Sequence, residues 1–125
     1  MILLDTDIII EVLDKKSDKG ESLMLKIIES GERYCKSSVN LNEVLYCIDK
    51  YSIDSHLVLQ IPTPGYSKGG SERSASLELT AERKSKSVPR IDAIIASVAI
   101  NNGCSLYTLD EHFEVFKDSG LKLFG

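Results

Sequence analysis

The chain has few of the residues that build covalent or zinc-held frameworks. Its three cysteines, Cys35, Cys47 and Cys104, are odd in number and widely spaced, and its two histidines, His56 and His112, lie far apart. Without a CxxC pair or a Cys/His cluster, neither a disulfide scaffold nor a zinc site is expected. Reduced thiols in the cytoplasm, packed as core or near-surface residues, are the natural reading. Long apolar runs are missing too. Nothing approaches the ~18 uninterrupted apolar residues that a membrane helix needs. The opening MILLDTDIII has no basic segment before its apolar residues and is broken by two aspartates, so it reads as a strand and not a signal peptide. Positive charge is also short, with 15 Lys and Arg against 19 Asp and Glu and a net charge of −4. That balance argues mildly against a general nucleic-acid-binding protein, because neutralising phosphates takes local positive charge. A nuclease stays compatible if its basic residues gather on one rim.

What is present is one domain's worth of ordinary globular sequence. The chain has 125 residues, 42% of them hydrophobic and 27% charged, enough for one core spanning residues 1–125. Ile2–Leu4 is a short apolar run ending in Asp5 and reads as a buried strand. Ile8–Leu13 resembles the start of a helix, and Lys15–Gly20 a polar break. Glu21–Ser30 carries Leu23, Met24, Ile27 and Ile28 at helical spacing, with Gly31 as its stop. Arg33–Ser37 predicts a second strand. In SSVNLNEVLYCIDKY, Leu41, Val44, Leu45 and Ile48 form a helical stripe, and Asn40 with Glu43 resembles a capping box. Leu57–Ile61 reads as a short strand or extended piece. IPTPGYSKGG, with its prolines and glycines, reads as a loop, and Glu72–Lys86 as a polar helix. A long apolar helix follows Pro89 and stops at Gly103. Ser105–Thr108 is a strand, Glu111–Phe116 a short helix and Leu121–Phe124 a last strand. Short apolar runs alternating with helical patterns indicate an α/β domain with a parallel sheet and helices on both faces.

The acids fall at informative places. Asp5 follows the first strand, Glu43 lies near the start of the helix after the second, Asp92 opens the long apolar helix, and Asp110 follows LYT. In open parallel sheets the ligand crevice lies beyond the carboxyl ends of the strands. Carboxylates gathered there repel one another unless a cation lies between them. An all-oxygen set favours a hard cation, Mg²⁺ or Mn²⁺, able to lower the pKa of a bound water and stabilise a leaving oxygen in phosphodiester hydrolysis. Each acid also has a plain explanation in helix capping or in the helix dipole, so spacing alone leaves both readings open. Asp5 is the hardest to explain away, because an acid directly after a buried strand is costly without a partner.

At these residues the sequence resembles the PIN-domain family, and within it the VapC-like toxin ribonucleases. LLDTDIII resembles the family's opening strand with its aspartate and following threonine. SSVNLNEVLYCI is similar to the strand end and helix that carry its glutamate. RIDAIIASVAINNGCSLYTLDEHFEVF resembles the third and fourth motifs. The resemblance implies a three-layer α/β/α fold with a central, mainly parallel sheet. It implies a divalent-metal site (Mg or Mn), cleavage of RNA, a homodimer and a VapB-like antitoxin partner. Carried over, Asp5, Glu43, Asp92 and Asp110 are the catalytic and metal-site acids. Thr6, Ser38 and Thr108 match hydroxyl positions that orient carboxylates or water, or serve turns and caps. Two features depart from the pattern: the IPTPGYSKGG segment, and Asp7, which stands where Asn or Ser is frequent and reads as a helix cap or an additional acid near the site.

Contacts to RNA phosphates are expected from the stretch Lys68–Arg90, with Lys68, Arg73 and Arg90 foremost, unless this is only a solvated helix face. GYSKGG lacks the GK[ST] ending of a phosphate loop. Other classes fit less well. A haloacid-dehalogenase-like phosphatase using Asp5 as nucleophile needs Thr or Val two residues after Asp7, where Ile9 stands. A phosphoacceptor receiver domain needs a lysine after LYT. A PIN-like module that binds RNA or a partner without cutting keeps the same four acids and is separated from the enzyme by metal affinity.

Overall fold

Ile2, Leu3 and Leu4 are all buried, yet they serve two different cores. Successive side chains of a strand point to opposite faces, so Leu3 joins one cluster while Ile2 and Leu4 join the other. A strand apolar on both faces needs cover on both, and the chain provides it. The computed structural model describes residues 1–14, 17–51 and 55–125. The order is β1 (Ile2–Leu4), α1 (Thr6–Leu13), α2 (Asp18–Ser30), β2 (Tyr34–Cys35), α3 (Ser38–Tyr51), α4 (His56–Leu59), α5 (Lys68–Arg83), α6 (Arg90–Asn101), β3 (Ser105–Tyr107), a 3₁₀ helix (Glu111–Ser119) and β4 (Lys122–Leu123).

The four strands form one sheet in the order β2-β1-β3-β4, and every pairing is parallel. Ile8, Ile9, Leu23, Ile27, Val44, Ile48 and Val58 cover one face over Ile2, Leu4 and Tyr107. On the other, α5, α6 and the 3₁₀ helix pack over Leu3, Cys35 and Leu106. This is the expected helix–sheet–helix architecture. Cys35 and Cys104 lie in the second core with their Sγ atoms 3.8 Å apart as free thiols, and burial pushes the Cys35 thiol up to about 12.

Several boundaries differ from the sequence expectation. Of the polar break at Lys15–Gly20, residues 15 and 16 lie outside the described residues. α2 already begins at Asp18, because Ser17 caps it by accepting from the Gly20 N–H. Gly20 is needed there: a Cβ would fall inside the carbonyl of Glu11, where α1 and α2 cross. Leu57–Ile61 is not a strand, since His56–Leu59 is one helical turn burying Val58 and exposing Leu57 and Leu59. Three apolar residues with one inward-facing look alike in either geometry. The polar helix starts at Lys68, four residues before the expected Glu72, since the Ser67 side chain caps it, and it ends at Arg83. Lys68, Gly69 and Gly70 are therefore helical and not loop. The proline segment runs beside β2: the Lys36 amide donates to the Pro62 carbonyl at 2.9 Å. The buried Lys36 ammonium donates to the Ile61 carbonyl and to Thr63 Oγ1.

Candidate metal centre

β1 and β3 end side by side, with the Asp5 amide donating to the Tyr107 carbonyl at 2.9 Å. Their continuations, Asp5 and Thr108–Asp110, therefore meet at the carboxyl edge of the sheet. Asp5 is 7% exposed and accepts from three donors. Its Oδ1 accepts from the Thr6 amide at 2.9 Å and from Asn40 Nδ2 at 3.0 Å, and its Oδ2 accepts from Thr108 Oγ1 at 2.6 Å. Burial still outweighs these bonds, and its carboxyl lies above the usual aspartate range.

Asn40 is the hub. It lies on the buried stripe of α3 with Val44 and Ile48, and it is fully enclosed. Its amide reaches both Asp5 and Thr6 Oγ1, the latter at 3.1 Å. Its carbonyl accepts from Ser37 Oγ at 2.6 Å, while the Asn40 amide donates back to Ser37 Oγ at 3.0 Å. The capping pair of α3 is thus Ser37 with Asn40, not Asn40 with Glu43. Glu43 is left free to turn to α1, where its Oε1 accepts from Thr6 Oγ1 at 2.8 Å.

Asp92 sits in the first turn of α6 and Asp110 caps the 3₁₀ helix by accepting from the His112 amide. Both acids keep these local helix roles while their ligand atoms stand close together. The Asp92 carboxyl is pushed up to about 6, first by burial and then by the charges of Asp110, Asp5 and Glu43, with His112 opposing. All four predicted acids therefore share one field. Asp92 Oδ2 is buried and accepts no hydrogen bond. His112 Nδ1 lies 3.6 Å from it and 3.3 Å from Asp110 Oδ1. Ligand atoms of Asp92, Asp110 and His112 all lie within 4.8 Å of one another. An enclosed carboxylate oxygen without a donor, among mutually repelling acids, fits a bound cation.

The model of the PIN domain matches residues 2–118. The chain belongs to the PIN domain family. Solved structures agree in fold. The VapBC2 complex of Rickettsia felis, bound to a DNA fragment from its promoter, aligns at TM-score 0.78 and 23% identity, covering 99% of this chain and 98% of the other. The DNA-bound VapBC of Salmonella typhimurium aligns at TM-score 0.74 and 20% identity, over 98% and 96%. The sarcin–ricin loop cleaving toxin VapC20 of Mycobacterium tuberculosis aligns at 0.67 and 13%, over 97% and 96%. No curated protein sequence matches the chain.

In this PIN domain, Thr6 Oγ1 donates to Glu43 and Thr108 Oγ1 to Asp5, whereas Ser38 opens α3. It is exposed, and the hydroxyl in the network is that of its neighbour Ser37. Asp7 is a cap and more. Its Oδ1 accepts from the Ile8 amide at 2.7 Å and its Oδ2 from the Leu109 amide at 3.0 Å, tying α1 to the loop that carries Asp110. Burial and the neighbouring Asp5 push its carboxyl up to about 6. Sequence reading passed over Asn40 as a hub and His112 as a neighbour of the acids. A polar residue on an otherwise buried helical stripe was the available signal for Asn40. For His112 the signal was its position two residues after Asp110.

The three basic residues are all exposed, and two of them are engaged by neighbours. Lys68 is exposed at the start of α5. Arg73 donates to Asn101 Oδ1 at 2.6 Å. Arg90, two residues before Asp92, forks onto the Glu78 carboxylate at 3.1–3.3 Å. No helix among the described residues is long and apolar enough to cross a membrane.

Proposed function

We propose that this PIN domain is a divalent-metal-dependent endoribonuclease and the toxin of a VapBC-type toxin–antitoxin pair, working in the cytoplasm. The observation that carries the reading is Asp92 Oδ2, buried without a hydrogen bond amid Asp5, Glu43 and Asp110. The donor set is mostly carboxylate, which favours Mg²⁺ or Mn²⁺, and His112 at its edge tilts the balance toward Mn²⁺. When bound, such a cation supplies Lewis acidity and activates water for attack on a phosphodiester. The protein's part is positioning. Asn40 and Thr108 fix the rotamer of Asp5, Thr6 orients Glu43, and Asp7 sets the height of the Asp110 loop. Asp92 contributes an uncommitted oxygen. Arg90 beside Asp92, with Lys68 and Arg73 on α5, offers positive charge for RNA phosphates once Arg90 exchanges Glu78 for phosphate.

Two of the structural relatives are DNA-bound VapBC assemblies, which supports a VapB-like antitoxin here; the toxin itself is proposed to be a homodimer. An apolar groove of about 490 Å³, lined by Ile9, Leu13, Met24, Leu57 and Tyr34, suits an apolar antitoxin segment. With all four acids in place, no observation favours a binding-only module, and family membership leaves the phosphatase alternative without support. The test is incubation of purified toxin with single-stranded and structured RNA in Mn²⁺ or in chelator. Cleavage is expected in Mn²⁺ alone and lost in Asp5→Asn. Cleavage that survives chelation, or an Asp5→Asn protein as active as wild type, would sink the proposal.

A further inference from the structure

A second cleft, of about 310 Å³, opens between the 3₁₀ helix and the end of β4 and shares Thr108 and Asp110 with the acid cluster. Its volume is at the lower end of the ~300–1,000 Å³ typical of small-molecule sites. Its walls are of two kinds. Leu109, 40% exposed, and Phe124 are apolar. Phe124 is held in place by its amide, which donates to the Leu106 carbonyl at 2.8 Å, and by edge contact with Tyr107 at 4.7 Å between centroids. The polar wall sets three acids, Asp110, Glu111 and Glu114, against one base, Lys117. Glu114 is engaged by Lys117 at 2.7 Å, whereas Glu111 has no ion pair or side-chain hydrogen bond among the described residues.

Such a cleft repels phosphate and accepts the flat apolar face of a base. A free carboxylate accepts from an exocyclic amino group, as on cytosine N4, and meets only an acceptor at uracil O4. A phosphate held at the acid cluster leaves its flanking nucleotide within one sugar's reach of Asp110. We propose that this cleft receives one unpaired base next to the phosphate at the metal centre, and that Glu111 makes it favour cytosine over uracil. The location next to a reacting phosphate rests on the nuclease reading; the pocket and its preference do not.

The experiment is a backbone-amide NMR titration of the metal-free protein with cytidine and with uridine. Neither nucleoside carries phosphate, and they differ at the edge Glu111 would read. Saturable shifts at Leu109, Glu111 and Phe124 are expected, with cytidine binding about tenfold tighter. In Glu111→Gln, an exposed position where folding is not at risk, the side-chain amide can donate to uracil O4, and the ratio should fall to about one. Phe124→Leu should weaken both nucleosides together, through lost stacking. Shifts located elsewhere, equal affinity in wild type, or a preference that survives Glu111→Gln would overturn the proposal. Because no metal or cleavage enters this titration, its failure is distinct from failure of the nuclease assay.

Discussion

Replacing Asp92 with asparagine should make the metal-free protein more stable, although it removes a residue from the proposed centre. The carboxyl is raised from 3.8 to about 6 by burial and by three neighbouring acids. Two pKa units correspond to roughly 3 kcal/mol of cost for the charged form at neutral pH. Water reaching the 14% exposed side chain and the unpartnered amide of the new asparagine reduce this to a gain of about 1–2 kcal/mol. For a domain of this size that is a rise of roughly 3–6 °C in Tm. The sign with pH is fixed. An acid whose folded pKa is raised contributes its stability below its unfolded value and loses it as pH climbs through about 6. The variant's advantage should therefore be full at pH 7.5 and vanish near pH 4. Thermal unfolding followed by circular dichroism in chelator, at both pH values, reads this directly. With Mn²⁺ in excess the order should reverse, because wild type alone gains binding free energy. A variant less stable than wild type at pH 7.5 in chelator, or an advantage that persists at pH 4, would show that Asp92 is not charged against its neighbours at a cost to the fold.

Other perturbations separate the supporting residues. Asn40→Leu should cost about 2–4 kcal/mol in urea unfolding, because Asp5, Thr6 and Ser37 all lose a partner inside the fold; a loss below about 1 kcal/mol would deny its role as hub. Asp7→Ala should release the Leu109 amide, read as faster hydrogen exchange at that residue and weaker Mn²⁺ binding with the sheet unchanged. Gly20→Ala should destabilise by about 1–3 kcal/mol, since the new methyl collides with the Glu11 carbonyl and α2 must move; an unchanged Tm would show that α1 and α2 are not held as closely as described.

The parts of this molecule that were legible in the sequence are those governed by periodicity and by position along a strand. The run Ile2–Leu4 could only be buried on both sides, and that condition carries the parallel sheet and its two helical layers. Asp5 and Asp110 follow strands, and parallel order brings strand ends to a single edge, so their meeting was foreseeable. What was not legible depends on one-residue register or on contacts between distant segments. Ser37 and Ser38 are indistinguishable on paper, yet the start of α3 buries one and exposes the other. Asn40 looked like half of a local cap with Glu43, but it pairs locally with Ser37, and its side-chain amide reaches two further partners 34 and 35 residues away. His112 seemed isolated because its neighbours are acids and not the other histidine. The turn at His56–Leu59 carried too few residues to betray its period.

The proposed nuclease requires the acids at the strand ends to form a single cation site completed by Asp92. Calorimetric titration of metal-free protein with Mn²⁺ at pH 7.5, wild type beside Asp92→Asn, tests it most directly. Saturable one-site binding by wild type is expected, weakening as pH falls below about 6, with no measurable binding by the variant. Undiminished binding by Asp92→Asn, or none by wild type, would contradict it.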